Sequence, residues 1–136
     1  MEYRREERYM SGRSHVVRGR DVIGADVVNR DGESLGSIQD LVFDAPTGRI
    51  AYAVLSFGGF LGVGNKLFAL PWPALQWSLD RNAFVLDIPR ERLESAPGFD
   101  PDNWPDMANR EWQTDVSGYY GYRPYWEEGE EYRRAA

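Results

Sequence analysis

The sequence predicts a mainly β domain, a small antiparallel barrel or sandwich, and three observations support that prediction. Short apolar segments alternate with clusters of Gly, Pro, Asp and Asn between residues 20 and 90, which is typical of strands joined by tight turns. The same region has no long segment of helical period. One segment, Arg49–Gly58, is apolar on both of its faces, so we expect a central strand that is covered on both sides.

Turn residues divide the first half of this region into three strands. A short strand is expected at Ala25–Asn29, and the Asp-Gly pair within Arg30–Glu33 supplies the positive φ angles that a hairpin turn needs. A longer strand follows at Ser34–Asp44, and the turn Ala45–Gly48 separates it from Arg49–Gly58.

Prolines and a polar turn organise the second half. Lys66–Trp72 is expected to be a strand that ends at Pro71 and Pro73. Pro73–Leu75 is expected to be a short helical turn. Two strands, Gln76–Leu79 and Ala83–Ile88, pair through the intervening polar turn. Residues 89–94 begin with proline and predict one further helical turn.

The last part of the chain is rich in aromatic residues and has a helical period. Within Asp106–Tyr120, spacings of three and four residues place Met107 or Ala108 on one stripe with four other apolar or aromatic side chains. So much aromatic surface needs a partner, and we expect the stripe to pack on its own barrel or on another molecule. The four other residues of the stripe are Trp112, Val116, Tyr119 and Tyr120.

Composition divides the 136 residues into three parts. Residues 1–18 form a charged arm that we expect to be flexible, 19–94 a barrel domain, and 95–136 an aromatic, helical extension with an acidic tail. The single histidine, His15, lies in the arm and is expected to be solvated rather than a ligand or a general base.

Several classes of function are disfavoured by composition. The chain has no cysteine, which excludes disulfides, thiolate catalysis and cysteine-ligated metals. Its net charge of −6 argues against general binding to nucleic acid. No apolar run approaches the roughly 18 residues of a membrane span, and the first residues lack the apolar core of a signal peptide. We therefore expect a soluble, cytoplasmic protein.

The glycine-rich stretch GGFLGVGNKLFALPW, Gly58–Trp72, does not fit a phosphate-binding loop. In a Walker loop the second glycine is followed by lysine, but Asn65 occupies that position, and Leu67 follows the lysine that comes next. Leu67 also stands where the dinucleotide pattern needs its third glycine. The stretch instead predicts a corner at which a barrel strand bends. The glycines of this corner are Gly58, Gly59, Gly62 and Gly64.

Three segments together resemble the PRC-barrel family. They are DVIGADVVNRDGESLGSIQDLVFD, GRIAYAVLSFGGFLGVGNKLFALPWPAL and the closing FVLDIP, between about Arg20 and Leu93. The family is named for the photosynthetic reaction-centre H subunit and includes the RimM-type ribosome maturation factor. The resemblance implies a small, strongly bent, mostly six-stranded antiparallel β-barrel.

The resemblance also limits what can be inferred about function. The H subunit has a transmembrane helix ahead of its barrel and the maturation factor has a second barrel domain, whereas this sequence shows only an arm there. Neither specialised activity is therefore carried over. The chain resembles free-standing bacterial members, in which the domain is regarded as an assembly or binding module without known catalytic residues.

Other potential sites have simpler structural interpretations. Residues 100–111 superficially resemble a calcium loop, but Trp104 occupies a ligand position and Pro105 the position that needs glycine. Turns and helix capping explain the acidic residues. A weaker calcium site at the surface is an alternative. Lys66, the only lysine, is expected to be an edge charge or to form a salt bridge. Two pairs of acids could be proposed for acid–base chemistry, but we expect them to be solvated. These pairs are Asp40 with Asp44 and Asp21 with Asp26.

We expect a non-catalytic interaction module that forms a homodimer, with no cofactor, metal or nucleic-acid partner. The extension would cover an apolar barrel face, in cis or across the dimer, and the apolar tip of the glycine corner would line the interface. A ribosome- or RNA-associated role and a small-ligand pocket at a barrel end are the alternatives. The expected interface residues are Phe60, Leu61, Val63, Trp104, Trp112, Val116, Tyr119 and Tyr120.

Overall fold

A computed structural model describes residues 16–58 and 65–127. Within these ranges lie six strands, two short helices, one longer helix and, between the fourth and fifth strands, a 3-10 turn. In chain order the elements are α1 Gly19–Val22, β1 Asp26–Val28, β2 Ser34–Asp44, β3 Arg49–Gly58, β4 Asn65–Pro71, the 3-10 turn Trp72–Ala74, β5 Leu75–Ser78, β6 Ala83–Leu86, α2 Arg90–Glu94 and α3 Arg110–Tyr119.

The six strands form one sheet in the order β4-β3-β2-β1-β6-β5, which confirms the mainly β, six-stranded prediction. Four of the five neighbouring pairs are antiparallel, as expected. The pair β1–β6 is parallel, with Val27 opposite Phe84. Hairpin turns impose antiparallel pairing on strands that follow one another, but no turn sets the relative direction of the first and last strands.

The sheet must curve strongly, because its two edge strands are consecutive in the chain. β4 ends at Pro71 and β5 begins at Leu75. The chain between them can reach no more than about 14 Å even when fully extended. The edges therefore approach each other at this corner, although the sheet's hydrogen-bonded order runs from one to the other without closing.

Irregularities in β2 assist this curvature. The pairing of β2 with β3 shifts register at Ile38/Asp40 and again at Val42/Phe43, and such bulges bend a strand and increase its twist. Near the start of β2, Gly36 has a φ of +128°, and a Cβ placed there would lie 2.0 Å from the carbonyl oxygen of Ser56. Only glycine permits this close approach of β2 and β3.

The interior of the curved sheet holds the main hydrophobic core. The inward side chains of all six strands meet there with residues of α1 and α2. Its buried members are Val22, Val27, Leu35, Ile38, Ala53, Leu55, Phe68, Leu70, Leu75, Phe84, Leu86, Ile88, Leu93 and Ala96.

Both faces of β3 are covered, as its sequence predicts. Ala53 and Leu55 belong to the interior core. Ala51 and Tyr52 belong to a second cluster outside it, together with Ala69 of β4. We call Ala51, Tyr52 and Ala69 the outer patch.

Element boundaries follow the turns. β2 and β3 have the predicted bounds. β6 ends at Leu86, before the predicted Ile88, whose amide donates to the carbonyl of Leu86 instead of to a neighbouring strand. α3 begins at Arg110 rather than at Asp106. The sequence pattern did not predict α1.

Candidate functional site

The outer patch is apolar, and the C-terminal extension covers it. Val116 of α3 is 2% exposed and belongs to the same buried cluster as the three residues of the patch. Around this contact lie partly buried side chains from β2 and from the extension. These are Val42, Phe99, Met107, Trp112, Tyr120 and Tyr125.

Polar residues set the start of α3. The side chain of Asn109 accepts a hydrogen bond from the amide of Trp112 at 3.0 Å, which satisfies one of the free amides of the first turn. Asp106 accepts from the amide of Ala108 at 3.1 Å, so the preceding residues form a turn and not a first helical turn.

A glycine ends α3. Gly121 has a φ of +81°, and the amide of Tyr122 donates to the carbonyl of Ser117 at 3.0 Å while that of Gly121 donates to Gly118 at 3.1 Å. This pair of bonds is the Schellman arrangement that satisfies the last carbonyls of a helix. The helix therefore has defined ends that place its apolar stripe on the sheet.

Aromatic contacts dominate the interface between the extension and the sheet. The ring of Tyr52 meets Trp112 edge to face, with centroids 5.5 Å apart, and meets Tyr125 at 6.1 Å. Such pairs contribute about 0.5–1.5 kcal/mol beyond the burial of their area. Tyr52 is thus the centre of the patch.

The same interface contains buried polar groups. Gln113 is 4% exposed and donates from Nε2 to the carbonyl of Met107 at 2.7 Å. Ser117, 1% exposed, faces the hydroxyl of Tyr52. The hydroxyl of Tyr125 lies 3.4 Å from a carboxylate oxygen of Asp44. The contact of Tyr125 with Asp44 therefore joins the extension to the end of β2, and the bond from Gln113 orders the extension itself.

Three tyrosines of this interface are held in their neutral form. Burial raises the pKa of Tyr52 above its usual value of 10.0, and nearby Tyr125 raises it further. Burial, followed by the neighbouring Tyr119, raises the pKa of Tyr120 more strongly. Burial raises the pKa of Tyr125 as well, and the charge of Asp44 adds to the effect.

A second set of contacts ties the end of α3 to α2. The guanidinium of Arg92 donates to the carbonyl of Tyr119 at 3.0 Å and lies 5.3 Å from the centre of the Tyr119 ring. The hydroxyl of Tyr119 donates back to the carbonyl of Arg92. These reciprocal bonds fix the extension to the end of the barrel domain.

The extension first reaches the sheet at the edge of β4. Leu67 and Phe99 exchange backbone hydrogen bonds of 2.9 and 2.8 Å, so one residue of the extension covers part of an otherwise open edge. Gly98 permits this approach, because a Cβ there would lie 2.8 Å from the ring of Phe68 and 2.9 Å from the carbonyl of Leu67. No apolar periodicity marks this contact in the sequence.

The structure packs four of the eight predicted interface residues against the chain's own barrel domain. Trp112, Val116 and Tyr120 pack in the cluster of the outer patch, and Tyr119 packs against the interior core. Trp104 differs: it is 40% exposed, its ring lies tilted against that of Phe99 with centroids 5.1 Å apart, and its Nε1 donates to the carbonyl of Pro101.

The glycine corner is described only at its beginning. Gly58, the last residue of β3, has a φ of +105°, which fits a bend at this point. The other predicted residues lie outside the described part of the chain, as do His15 and most of the N-terminal arm. These other residues are Gly59, Phe60, Leu61, Gly62, Val63 and Gly64.

The acids singled out in the sequence make local contacts. Asp40 accepts from the amide of Leu41 at 2.8 Å, and Asp44 accepts from the hydroxyl of Thr47 in the β2–β3 turn. Asp21 pairs with Arg18 at 3.2 Å. In the segment that superficially resembles a calcium loop, Asp100 accepts from the amide of Asp102 at 2.9 Å, which is the expected turn geometry. The remaining acid of these pairs, Asp26, is exposed on β1.

Within residues 16–58 and 65–127, no three His, Asp or Glu side chains converge in a way that could hold a metal ion. The ammonium of Lys66 lies over the ring of Phe68, 5.3 Å from its centre. None of the helices in the described ranges is both long enough and apolar enough to cross a bilayer.

Comparisons with known proteins identify the barrel domain. A family model described as the PRC-barrel domain matches residues 14–93, more than half of the chain. No curated protein matches. Among solved structures, 34 chains match. One is described as the 16S ribosomal RNA processing protein RimM of Pseudomonas aeruginosa, with 16% identity and a TM-score of 0.38. The match covers 60% of this chain and 49% of that one, about half its length, and carries no argument about function.

Proposed function

Because the chain belongs to the PRC-barrel family, we propose that it is a non-catalytic, cytoplasmic interaction module that assembles as a homodimer. The observation that supports this most directly is the outer patch. A small barrel needs one apolar interior, but this sheet has a second apolar face, and a separate segment of chain covers it. A face of this kind is an interaction surface, whichever chain supplies its cover.

The connection to α3 is compatible with exchange between copies. Between Phe99 and the start of α3, residues 100–104 are all exposed and make turns among themselves. Few contacts would be lost if this connection took another path. The same extension could therefore dock on the patch of a second copy, since domain swapping reproduces contacts already made within one chain.

Exposed apolar side chains offer further contact area. Phe43, at the end of β2, is 57% exposed, Ile23 is 43% exposed and Trp104 is 40% exposed. We propose that Trp104, together with Phe60, Leu61 and Val63 of the glycine corner, contributes to the dimer interface. Aromatic residues are enriched at the centres of such interfaces.

The test is the solution mass of the full chain and of a chain ended at Ser95, measured by light scattering. We expect the full chain to be a dimer. A truncated chain that is monomeric assigns the interface to the extension, and one that stays dimeric assigns it to the barrel and its glycine corner. A monomeric full chain would contradict the proposed dimer. Co-purification of ribosomal RNA in stoichiometric amount would contradict the proposed role.

Because truncation uncovers the outer patch and could cause aggregation, a point variant provides an independent measurement. Trp104→Ala removes an exposed ring and leaves the patch covered, so we expect it to weaken dimerisation by about tenfold or more. Asp102→Ala, in the same exposed segment, is the matched control and should leave the dissociation constant unchanged. Co-purification of two differently tagged copies reads out both variants, and equal behaviour of the two would remove Trp104 from the interface.

A further inference from the structure

A concave pocket lies at one end of the barrel, away from the outer patch. Its volume is about 350 Å³, and it is formed by α1, the 3-10 turn, β5 and the start of β6. This size falls within the range of small-molecule sites, which begins near 300 Å³. The pocket is continuous with the interior core, because Val22 and Phe84 belong to both.

Three aromatic rings form the walls of the pocket. Phe84 lies at their centre, 5.1 Å from Trp77 and 5.9 Å from Trp72 between ring centroids. The three planes are inclined to one another by 58° or more at each of these contacts. Differently inclined rings present both edges and π faces to a shared space. The π faces carry the negative end of the ring quadrupole and attract cations.

The charge on the described lining of the pocket is negative. Among the described residues that line it, Asp21 is the only one that carries a charge. The whole chain also has a net charge of −6, which favours the approach of cations. Carboxylate and aromatic walls together are unfavourable for an anion and favourable for a cation with an apolar body.

The protein already places one cation beside this carboxylate. Arg18 directs its guanidinium at Asp21, with nitrogen–oxygen distances of 3.2 and 3.4 Å. The Arg18 side chain is 68% exposed, and exposed ion pairs contribute little to stability. The charged group of a ligand at this carboxylate would therefore compete with the exposed guanidinium of Arg18.

From these observations we propose that the barrel-end pocket binds a small organic cation: the apolar body lies among Trp72, Trp77 and Phe84, and the charged group lies beside Asp21. This site is independent of the dimer proposed above, because none of the residues that form it contacts the outer patch in the described structure. If the pocket binds no cation, the proposed assembly function is unaffected.

The experiment compares three probes of similar size and different charge on the full chain. Benzyltrimethylammonium is the cation, benzyl alcohol the neutral probe and benzoate the anion. Titration is followed by the indole NH resonances of Trp72 and Trp77. We expect saturable shifts with the cation, an affinity about three- to tenfold higher than for the neutral probe, and no saturation with benzoate.

Two variants with the same change of charge identify the carboxylate. Asp21→Asn should abolish the preference for the cation over benzyl alcohol, whereas Asp115→Asn, at an exposed position on α3, should retain it. Melting curves establish that both variants are folded. If Asp21→Asn does not fold, the affinity of the wild-type chain for the cation is measured at increasing salt concentration instead, and it should decline. Absence of saturable binding, or equal affinity for cation and neutral probe, overturns the proposal.

Discussion

At the scale of single residues, the tightest constraint is the approach of β2 to β3 at Gly36. Any side chain there meets the carbonyl of Ser56, which belongs to the backbone of a paired strand and cannot rotate away. Gly48 offers a contrast, because its φ of +75° is also left-handed but nothing lies within 4 Å of the place that a Cβ would take. A side chain at Gly48 would therefore cause backbone strain alone, whereas one at Gly36 would cause backbone strain and steric overlap.

This contrast gives a prediction for stability. Gly48→Ala should lower the free energy of unfolding by about 1–2 kcal/mol, the cost of a left-handed conformation for a residue with a Cβ. Gly36→Ala should lower it by at least about 2 kcal/mol more, because the strands must also move apart. Urea denaturation followed by tryptophan fluorescence measures both. Equal losses would show that the close approach at Gly36 is relieved without cost.

The interface tyrosines give a prediction for alkaline pH. Their raised pKa values mean that the folded state keeps phenolic protons that the unfolded chain releases above about pH 10. Their contribution to stability is complete below that pH and is lost as the pH rises towards the folded-state pKa. Tyr120→Phe should make the fall of the urea midpoint between pH 9 and 11 shallower. Tyr122→Phe, at an exposed position, is the control and should follow the parent protein.

At the scale of elements, α3 depends on its two ends. It has only ten residues, which is too short for stability in isolation, so capping and packing decide whether it forms. Its stripe contacts the outer patch only while the helix is intact. The cap at Asn109 is therefore coupled to the cover of the sheet.

Removal of this cap should have a measurable effect. Asn109→Ala loses the bond to the amide of Trp112 and should cost about 1 kcal/mol. Hydrogen exchange should show the loss of protection concentrated in α3 and in the segment that contacts the patch. Asn103→Ala makes the same substitution in an exposed turn and should change neither quantity. A uniform loss across all strands would mean that α3 and the barrel unfold as one unit.

The elements also show what the sequence could and could not predict. β2 and β3 were predicted to the residue, because Asp-Gly and Pro-Thr-Gly turns mark their ends. The stripe of α3 was predicted from its period. The bridge of Phe99 to Leu67 and the aromatic lining of the barrel-end pocket were not, because each depends on contacts between residues distant in the chain. Local patterns carry no signal for such contacts.

At the scale of the whole molecule, an acidic chain combines a well-filled interior with two further apolar surfaces of different shape. The outer patch lies under a helix, whereas the barrel-end pocket is concave and aromatic. Protein segments fit the first and small ligands fit the second. The mass measurement and the probe titration proposed above address these two surfaces separately.

The parallel pairing of β1 with β6 has a consequence for synthesis and folding. Val27 finds its partner Phe84 only after most of the barrel domain has been made. During translation, the hairpin of β2 and β3 can form early, but β1 keeps one edge open until the last strand leaves the ribosome. Such a long sequence separation is associated with slow folding. The unpaired edge of the nascent chain is therefore the point at which misassembly with a neighbouring chain, or protection by a chaperone, would occur.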